Sequence, residues 1–348
     1  MPQDRPPTVS IIIKAFNEER HIAGAIESAL AALVGIHGEI ILADGASTDR
    51  TVAIAEKYPI KIVQIGEADD RSCGAGAQLG FQYSAGGFIC IMDADMRLRQ
   101  PFLTAAIRAL AQNPTLGGVG GAVIDLDADN LEYAQRVRRF DPDRRPGLVT
   151  RLGGCGVYRR TAVLATGYFT DRNLHGGEEL ELAARLYAVG WRLARIDCPA
   201  VDHYCRQGNP YRQLLRRMRI RNACGPGEII RASIGRPHFG YVARNDRNSL
   251  LSVLVVLWWC SIAAALLVGS GSLALWAAGA QLVFPFATMA LRWRSLRDGV
   301  YSVAAWNVQA LCFLPGFFTP RKAPASWIPS RVIKDPTADL PALRVALH

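Results

Sequence analysis

The first two thirds of this 348-residue sequence contain no long uncharged run, so any membrane-crossing segment must lie beyond them. The chain also lacks a C-x-x-C pair: its eight cysteines are scattered singly. That excludes the common structural-zinc spacings and reads as reduced, partly buried thiols in a reducing compartment. A signal peptide is not expected either. Residues 1–7 are polar and proline-rich, and the apolar run at 9–13 is too short for a leader core. Acidic residues are in deficit, 30 against 40 Lys and Arg, for a net charge of +10. No nucleic-acid-binding module accompanies that charge. The arginines crowd between Arg206 and Arg247, just ahead of the first long apolar run. Basic residues in that place suit anionic lipid headgroups and cytoplasmic loops, so the partner expected is a membrane and not a nucleic acid.

What the chain does contain is alternation. Residues 9–13 (Val-Ser-Ile-Ile-Ile) read as a buried strand, and 19–32 as a helix. A second strand follows at 39–43, then a short helix at 49–57 with Ser47 or Thr48 as its N-cap. Further strands are expected at 60–65 and 88–92, separated by a glycine-rich helical segment. Strands alternating with helices at this pitch predict an α/β fold, a mostly parallel sheet covered by helices. In such sheets ligands gather beyond the carboxyl ends of the strands. Asn17-Glu18, the cluster from Asp44 to Asp49, and Asp93-Ala94-Asp95 each fall just after a strand, which points to one shared site.

Beyond Arg247 the composition changes. Residues 250–268 and 273–291 carry no charge, and each is close to the ~20 residues that span a bilayer. The link at 269–272 makes them a transmembrane helical hairpin. Arginines precede the first run, and Arg292, Arg294 and Arg297 follow the second, which places both outer ends in the cytoplasm. A third apolar segment, 300–318, contains Asn307, Gln309 and Pro315-Gly316, and Arg321 and Lys322 follow it. A crossing there would leave those charges outside. The expectation is an in-plane or re-entrant helix anchored by Trp306, Phe313, Phe317 and Phe318. The domains are thus a cytoplasmic head (1–248), a membrane domain (249–320) and a C-terminal tail (321–348).

Three constellations carry chemistry. Asp93 and Asp95, one residue apart at a strand end, can reach one hard cation, Mg2+ or Mn2+, whose remaining ligands come from substrate phosphates. In Asp44-Gly45-Ala46-Ser47-Thr48-Asp49, Gly45 permits a tight turn and Asp49 suits a helix start. Asp44 has no evident capping duty and is free to bind a base or ribose. In Gly176-Gly177-Glu178-Glu179-Leu180-Glu181-Leu182, the repeat Leu182, Leu186, Val189 predicts a helix stopped at Gly190. Glu178 and Glu179 then crown its buried face, where acidic residues suit a first turn or supply a general base. Glu181 is expected to pair with Arg185 on the outside.

The runs Val-Ser-Ile-Ile-Ile-Lys-Ala-Phe-Asn-Glu-Glu, Asp-Gly-Ala-Ser-Thr-Asp-Arg-Thr, Met-Asp-Ala-Asp and Gly-Gly-Glu-Glu-Leu-Glu-Leu occur in the order seen in family 2 glycosyltransferases. Gly153-Gly154-Cys155-Gly156-Val157-Tyr158-Arg159-Arg160 also looks like that family's segment before its acidic pair. The resemblance covers about residues 8–225, and the trailing hairpin looks like bacterial members that build exopolysaccharide or lipid-linked sugars. It implies a GT-A fold and an inverting transfer from a nucleotide-sugar donor to a lipid-linked acceptor at the cell inner membrane. It further implies that Asp44 and Glu18, with Asn17 beside it, meet the nucleoside. Asp95 would ligate the metal, and Asp93 the ribose or the metal. Glu179 matches the catalytic base, usually Asp, with Glu178 as its rival. Lys14 stands where the family has proline. Gln213-Leu214-Leu215-Arg216-Arg217 resembles the Gln-x-x-Arg-Trp of processive synthases without the tryptophan, which favours single additions. Arg216 or Arg217 would hold the diphosphate, and His203 is placed near the diphosphate or metal. Rival readings are an enzyme charging polyprenyl phosphate directly, a nucleotidyltransferase, and an inactive membrane scaffold.

Overall fold

The computed structural model describes residues 8–126, 131–138, 142–269 and 271–336. The chain begins β1 (Val9–Ala15), α1 (Ile22–Ala32), β2 (Gly38–Asp44), α2 (Thr51–Ala55), β3 (Lys61–Ile65), α3 (Cys73–Gln82) and β4 (Phe88–Asp93). It continues β5 (Met96–Leu98), α4 (Phe102–Gln112), β6 (Leu116–Leu126), α5 (Leu131–Arg138), β7 (Gly147–Val149), β8 (Gly156–Arg159) and α6 (Arg160–Leu164). Then follow α7 (Glu178–Ala188), β9 (Arg192–Tyr204), α8 (Pro210–Arg219), α9 (Gly225–Ser233) and α10 (Phe239–Asn245). Three long helices, α11 (Arg247–Val268), α12 (Gly271–Trp293) and α13 (Leu296–Phe317), precede the last strand, β10 (Ser330–Lys334).

One sheet organises the head, in the order β10-β3-β2-β1-β4-β8-β6-β9-β5, with β7 beside β9. The expected parallel core is present: β1 pairs in parallel with β2 and β4, and β2 with β3. β1 is central because its β-branched run is buried on both faces: Ile11 and Ile13 pack with α1, Ile12 with α3. Helix α3 lies so close to β1 that a Cβ on Gly80 would clash with Ile12 Cγ2.

Two local expectations are corrected. The helix expected at 49–57 is only Thr51–Ala55, and Ser47 and Thr48 do not cap it. Their hydroxyls are taken by the neighbouring loop: Ser47 Oγ accepts from Asn17 N at 2.9 Å, and Thr48 Oγ1 from Asn17 Nδ2 at 3.3 Å. Asp49 does the capping, accepting from Thr51 N at 2.9 Å. The Glu181–Arg185 pair forms at 2.8 Å but is buried, Arg185 also reaching the Phe169 and Tyr168 carbonyls.

The larger correction concerns the tail. Residues 321–336 return to the head, where β10 pairs antiparallel with β3 and Ile328 is fully buried. Arg172 donates to the Trp327 carbonyl at 3.1 Å, Tyr83 and Ser330 hydroxyls meet at 2.9 Å, and Arg321 and Lys322 pair with Asp171 and Asp70. A short basic strand after three apolar helices gave no sign of that distant partner.

Helices α11, α12 and α13 are each long and apolar enough to cross a membrane. Leu267, Val268, Leu273, Trp276 and Phe284 stand exposed on the first two, an apolar surface that water would not tolerate at this extent. Helix α13 is one continuous helix that lies along the head. Asp298 pairs with Arg138 of α5, Tyr301 meets Tyr211 of α8 edge-on, and the Phe313–Phe317 backbone packs on Gly227 of α9.

Candidate active site

Strand ends β1, β2 and β4 open into a cleft of about 360 Å³, walled on its far side by α5, α8 and the loop around His175. Lys14 and Asp93 share a register across the parallel β1–β4 pair, so their side chains emerge together. Lys14 Nζ lies 3.0 Å from Asp93 Oδ1 and 3.2 Å from Glu178 Oε1. Burial pulls the ammonium pKa down, but Asp93 and Glu178 outweigh it and hold Lys14 well above its ordinary value. The same residue walls a second, narrow cavity lined by Glu178, Glu179, Leu152 and Tyr158. The acidic pair therefore sits behind Lys14 and not in the main cleft. Glu178 is pushed up to about 7, first by burial and then by Glu179 beside it. Glu179, half-buried, has no hydrogen-bond or ion-pair partner among the described residues.

Asp95 lies just past the end of β4. Its Oδ1 is buried without a hydrogen-bond partner, and Oδ2 is 3.8 Å from His203 Nε2. Burial, then the charge of Asp93, raise its pKa. His203 comes from β9, and its Nδ1 is held 2.9 Å from Asp125 Oδ1 of β6, which also pairs with Arg136. Burial pushes Asp125 up, but bonds from His203 and Arg136 bring it below its ordinary value. Asp95 thus has one oxygen without a partner among the described residues and the other toward an imidazole whose far nitrogen is held by a carboxylate, a donor set that suits a divalent cation. The residues therefore fit Mg2+ or Mn2+, held by Asp95 and His203 with Asp93 adjacent. Cys205 is also close to Asp125 and His203. Its thiol is pushed up to about 12 by burial and then by Asp125, so it stays protonated and is the weaker ligand.

The remaining candidates divide. Glu18 lines the cleft, paired with Arg206, and is pushed up to about 7 by burial, with Asp95 and Asp93 adding to the rise. Asp44 also lines it but is fully buried and engaged, a correction to its expected freedom. Its oxygens accept from Ser47 N at 2.9 Å, Ser47 Oγ at 2.5 Å and Gln64 Nε2 at 2.7 Å. A carboxylate offers about four acceptor positions, and three of them are taken. Asn17 does not line the cleft: exposed, with a left-handed φ of 54°, it ties its loop to Thr48, whose N–H it accepts at 2.8 Å. Arg216 and Arg217 both line it, Arg217 paired with Glu132. Burial, then Arg206, lower the Arg216 pKa. The sequence reading did not foresee Arg71, stacked 3.7 Å over Phe16, nor Arg206, Glu132, Asp125 and His175. Of these, Asp125 at the end of β6 and Arg206 two residues past β9 sit where a strand-end search finds them.

A central parallel sheet with Asp-x-Asp at a strand mouth, an acidic pair at a helix start and a metal-fit histidine on a later strand defines the GT-A class. Residues 10–165 match the model described as glycosyl transferase family 2, and this span is a family 2 glycosyltransferase domain. The succinoglycan biosynthesis protein ExoO of Rhizobium meliloti is 30% identical over 130 residues, 37% of this chain and 36% of that protein. The dolichyl N-acetyl-alpha-D-glucosaminyl phosphate 3-beta-D-2,3-diacetamido-2,3-dideoxy-beta-D-glucuronosyltransferase of Methanococcus voltae is 30% identical over 202 residues, 53% of this chain and 63% of that one. The chain thus spans less than two thirds of either curated relative. The mannosyltransferase of Pyrobaculum calidifontis, solved with GDP-Man and Mn2+, shares the fold with a TM-score of 0.54 at 21% identity over 88% of each chain.

Proposed function

We propose that this protein is a membrane-bound, metal-dependent, inverting glycosyltransferase that moves a sugar from a nucleotide-sugar donor to a lipid-linked saccharide acceptor. The observation that carries the reading is the site around Lys14. It joins the Asp-x-Asp motif to the acidic pair, beside an Asp95 oxygen that has no protein partner. A divalent ion bound there would act as a Lewis acid, neutralising charge on a nucleoside diphosphate. Arg216 and Arg217 line the same cleft and add charge-assisted donors for that diphosphate. Asp44 and the Glu18 carboxylate face the nucleoside end. Glu179 is the base: it has no hydrogen-bond or ion-pair partner among the described residues, whereas Glu178 is tied to Lys14. It takes the acceptor hydroxyl proton as that oxygen attacks the anomeric carbon, with the diphosphate leaving from the opposite face.

The lipid-borne acceptor is supported by the apolar helices and by the Methanococcus relative, whose name specifies a dolichyl-linked substrate. Chain parity supports two crossings. Residues before α11 and after α13 belong to the same sheet, so the chain must cross the bilayer an even number of times between them. Helices α11 and α12 cross; α13, in contact with the head along its length, lies in the membrane plane at the cytoplasmic face of the inner membrane. The test is nucleoside-diphosphate release by the detergent-purified protein across a donor panel with Mn2+, Mg2+ or EDTA. Turnover lost in EDTA supports the reading; no turnover with any donor, or turnover indifferent to EDTA, sinks its metal part.

A further inference from the structure

His175 lies in the wall of the main cleft, three residues before the acidic pair. No role in the proposed transfer has been given to it, yet three of its four polar atoms are fixed by the membrane-proximal part of the head. Its backbone N–H donates to Glu228 Oε2 at 2.8 Å, its Nδ1 lies 2.9 Å from Glu228 Oε1, and its carbonyl accepts from Asn222 Nδ2 at 2.9 Å. Glu228, on α9, is almost fully buried, and Arg221 Nη2 stands 3.7 Å from the oxygen that holds Nδ1. Glu228 accepts from Nδ1 when that nitrogen carries the proton. That leaves Nε2 as the single polar atom of His175 with no partner among the described residues, on a side chain that lines the cleft. A buried carboxylate spent on orienting one imidazole is how proteins fix a histidine for a ligand.

The cations around it indicate the ligand. Lys14 is matched by Asp93 and Glu178, Arg206 by Glu18, and Arg217 by Glu132. Arg216 shares the wall with His175 and makes no direct ion pair among the described residues, Glu18 acting on it only at longer range. The cleft wall thus carries Arg216, Arg71 and the His175 Nε2 outside any ion pair among the described residues, which suits a multiply charged oxyanion. We propose that His175, held by Glu228, is a phosphate-binding residue: as an imidazolium it donates Nδ1–H to Glu228 and Nε2–H to a phosphate oxygen of the nucleotide donor or of the lipid acceptor. This inference rests on the glycosyltransferase reading, which supplies both phosphates, but assigns a residue that reading does not need.

The variant H175N separates the two duties of the ring. Its amide N–H replaces Nδ1 toward Glu228 and keeps the loop anchored, but nothing replaces Nε2. Calorimetric titrations of the full chain in one detergent would use UDP and GDP with Mn2+ in one arm and a short-chain polyprenyl phosphate in the other. One charge-assisted hydrogen bond lost corresponds to a drop of about 10-fold to 100-fold in affinity. A drop confined to the nucleotides assigns the donor diphosphate; a drop confined to the lipid assigns the acceptor phosphate; either supports the proposal. With a wild-type melting temperature, affinities within about twofold of wild type in both arms overturn it. E228Q, which keeps the shape of the pair but removes its charge, should weaken the same arm less. Should wild-type protein bind no nucleotide and turn over no donor, the glycosyltransferase reading falls, and H175N is not what decides it.

Discussion

Lys14 and Asp93 occupy facing positions on neighbouring parallel strands, and their side chains meet at 3.0 Å at the floor of the cleft. The same ammonium reaches Glu178 at 3.2 Å, from a helix 164 residues further along the chain. Breaking a buried ion pair by removing one partner leaves the other charge uncompensated, a loss of about 3 kcal/mol or more. Lys14→Met should therefore destabilise the head by about that amount at pH 8, measured by denaturant unfolding of the detergent-purified protein. The double variant K14M/E178Q should recover much of the loss, because no unpaired carboxylate then remains at position 178. Equal destabilisation by K14M and the double variant would mean that the pair has no structural role.

The buried acids in and behind the cleft set a pH dependence of known sign. Glu18 and Glu178 are both raised to about 7, each chiefly by burial. A carboxyl whose folded pKa lies above its unfolded value binds its proton more tightly when folded. Its stabilising contribution is complete below about pH 4 and fades as pH rises through 7. Metal-free protein should thus melt at progressively lower temperature from pH 5 to pH 8. Added Mn2+ should raise the melting temperature more at pH 8 than at pH 5.5, because protons no longer compete at Asp95 and its acidic neighbours. A metal-free melting temperature that is flat or rising across this window contradicts the assignment.

Much of the fold was legible because its signals are local. The run Val9 to Ile13, the strand before Asp93, and the leucine repeat after Glu179 each declare their structure within a dozen residues. Partnerships set by register or by chain return were not legible. Lys14 meets Asp93 only because β1 and β4 pair in parallel without offset. Asp44 reads as free in a linear sequence; Gln64, twenty residues on, takes one of its oxygens at 2.7 Å. β10 looks like an ordinary tail until β3 is known to have an open edge, and His175 finds Glu228 across 53 positions.

Asp125 fixes the histidine that stands beside Asp95. It holds His203 Nδ1 at 2.9 Å and leaves Nε2 toward Asp95. Carboxylates that orient a metal-binding histidine typically contribute about 10-fold to 100-fold in metal affinity. Asp125→Ala should weaken Mn2+ binding by that order in a spin-resonance titration without nucleotide, whereas Asp95→Asn should remove it. Wild-type Mn2+ affinity in D125A would leave the pair a structural contact only.

The returning tail ties topology to stability. Ile328 is fully buried beside β3, so Ile328→Ala should cost about 2–4 kcal/mol in unfolding free energy. A reporter fused at position 270 should read as periplasmic and one at the C-terminus as cytoplasmic. Two reporters on the same face would contradict the hairpin. A C-terminus on the far face would contradict the pairing of β10 with β3.

The acidic pair offers the sharpest discrimination, because its two members are placed differently. Glu178 is held by Lys14 and needed for the charge balance beneath the cleft, while Glu179 makes no hydrogen bond or ion pair among the described residues and lines the narrow cavity beside Tyr158. If Glu179 removes the proton from a sugar hydroxyl, Glu179→Gln should lower kcat by about 10²-fold to 10⁴-fold. It should leave nucleotide affinity and melting temperature near wild type. Glu178→Gln should instead shift stability and its pH dependence, with a smaller loss of turnover. An acceptor that attacks through a phosphate oxygen needs no base, so E179Q would then keep nearly full activity. Steady-state rates for the two variants, measured beside their unfolding curves, separate a hydroxyl acceptor from a phosphate one. They also decide which carboxylate does the chemistry and which one holds Lys14 in place.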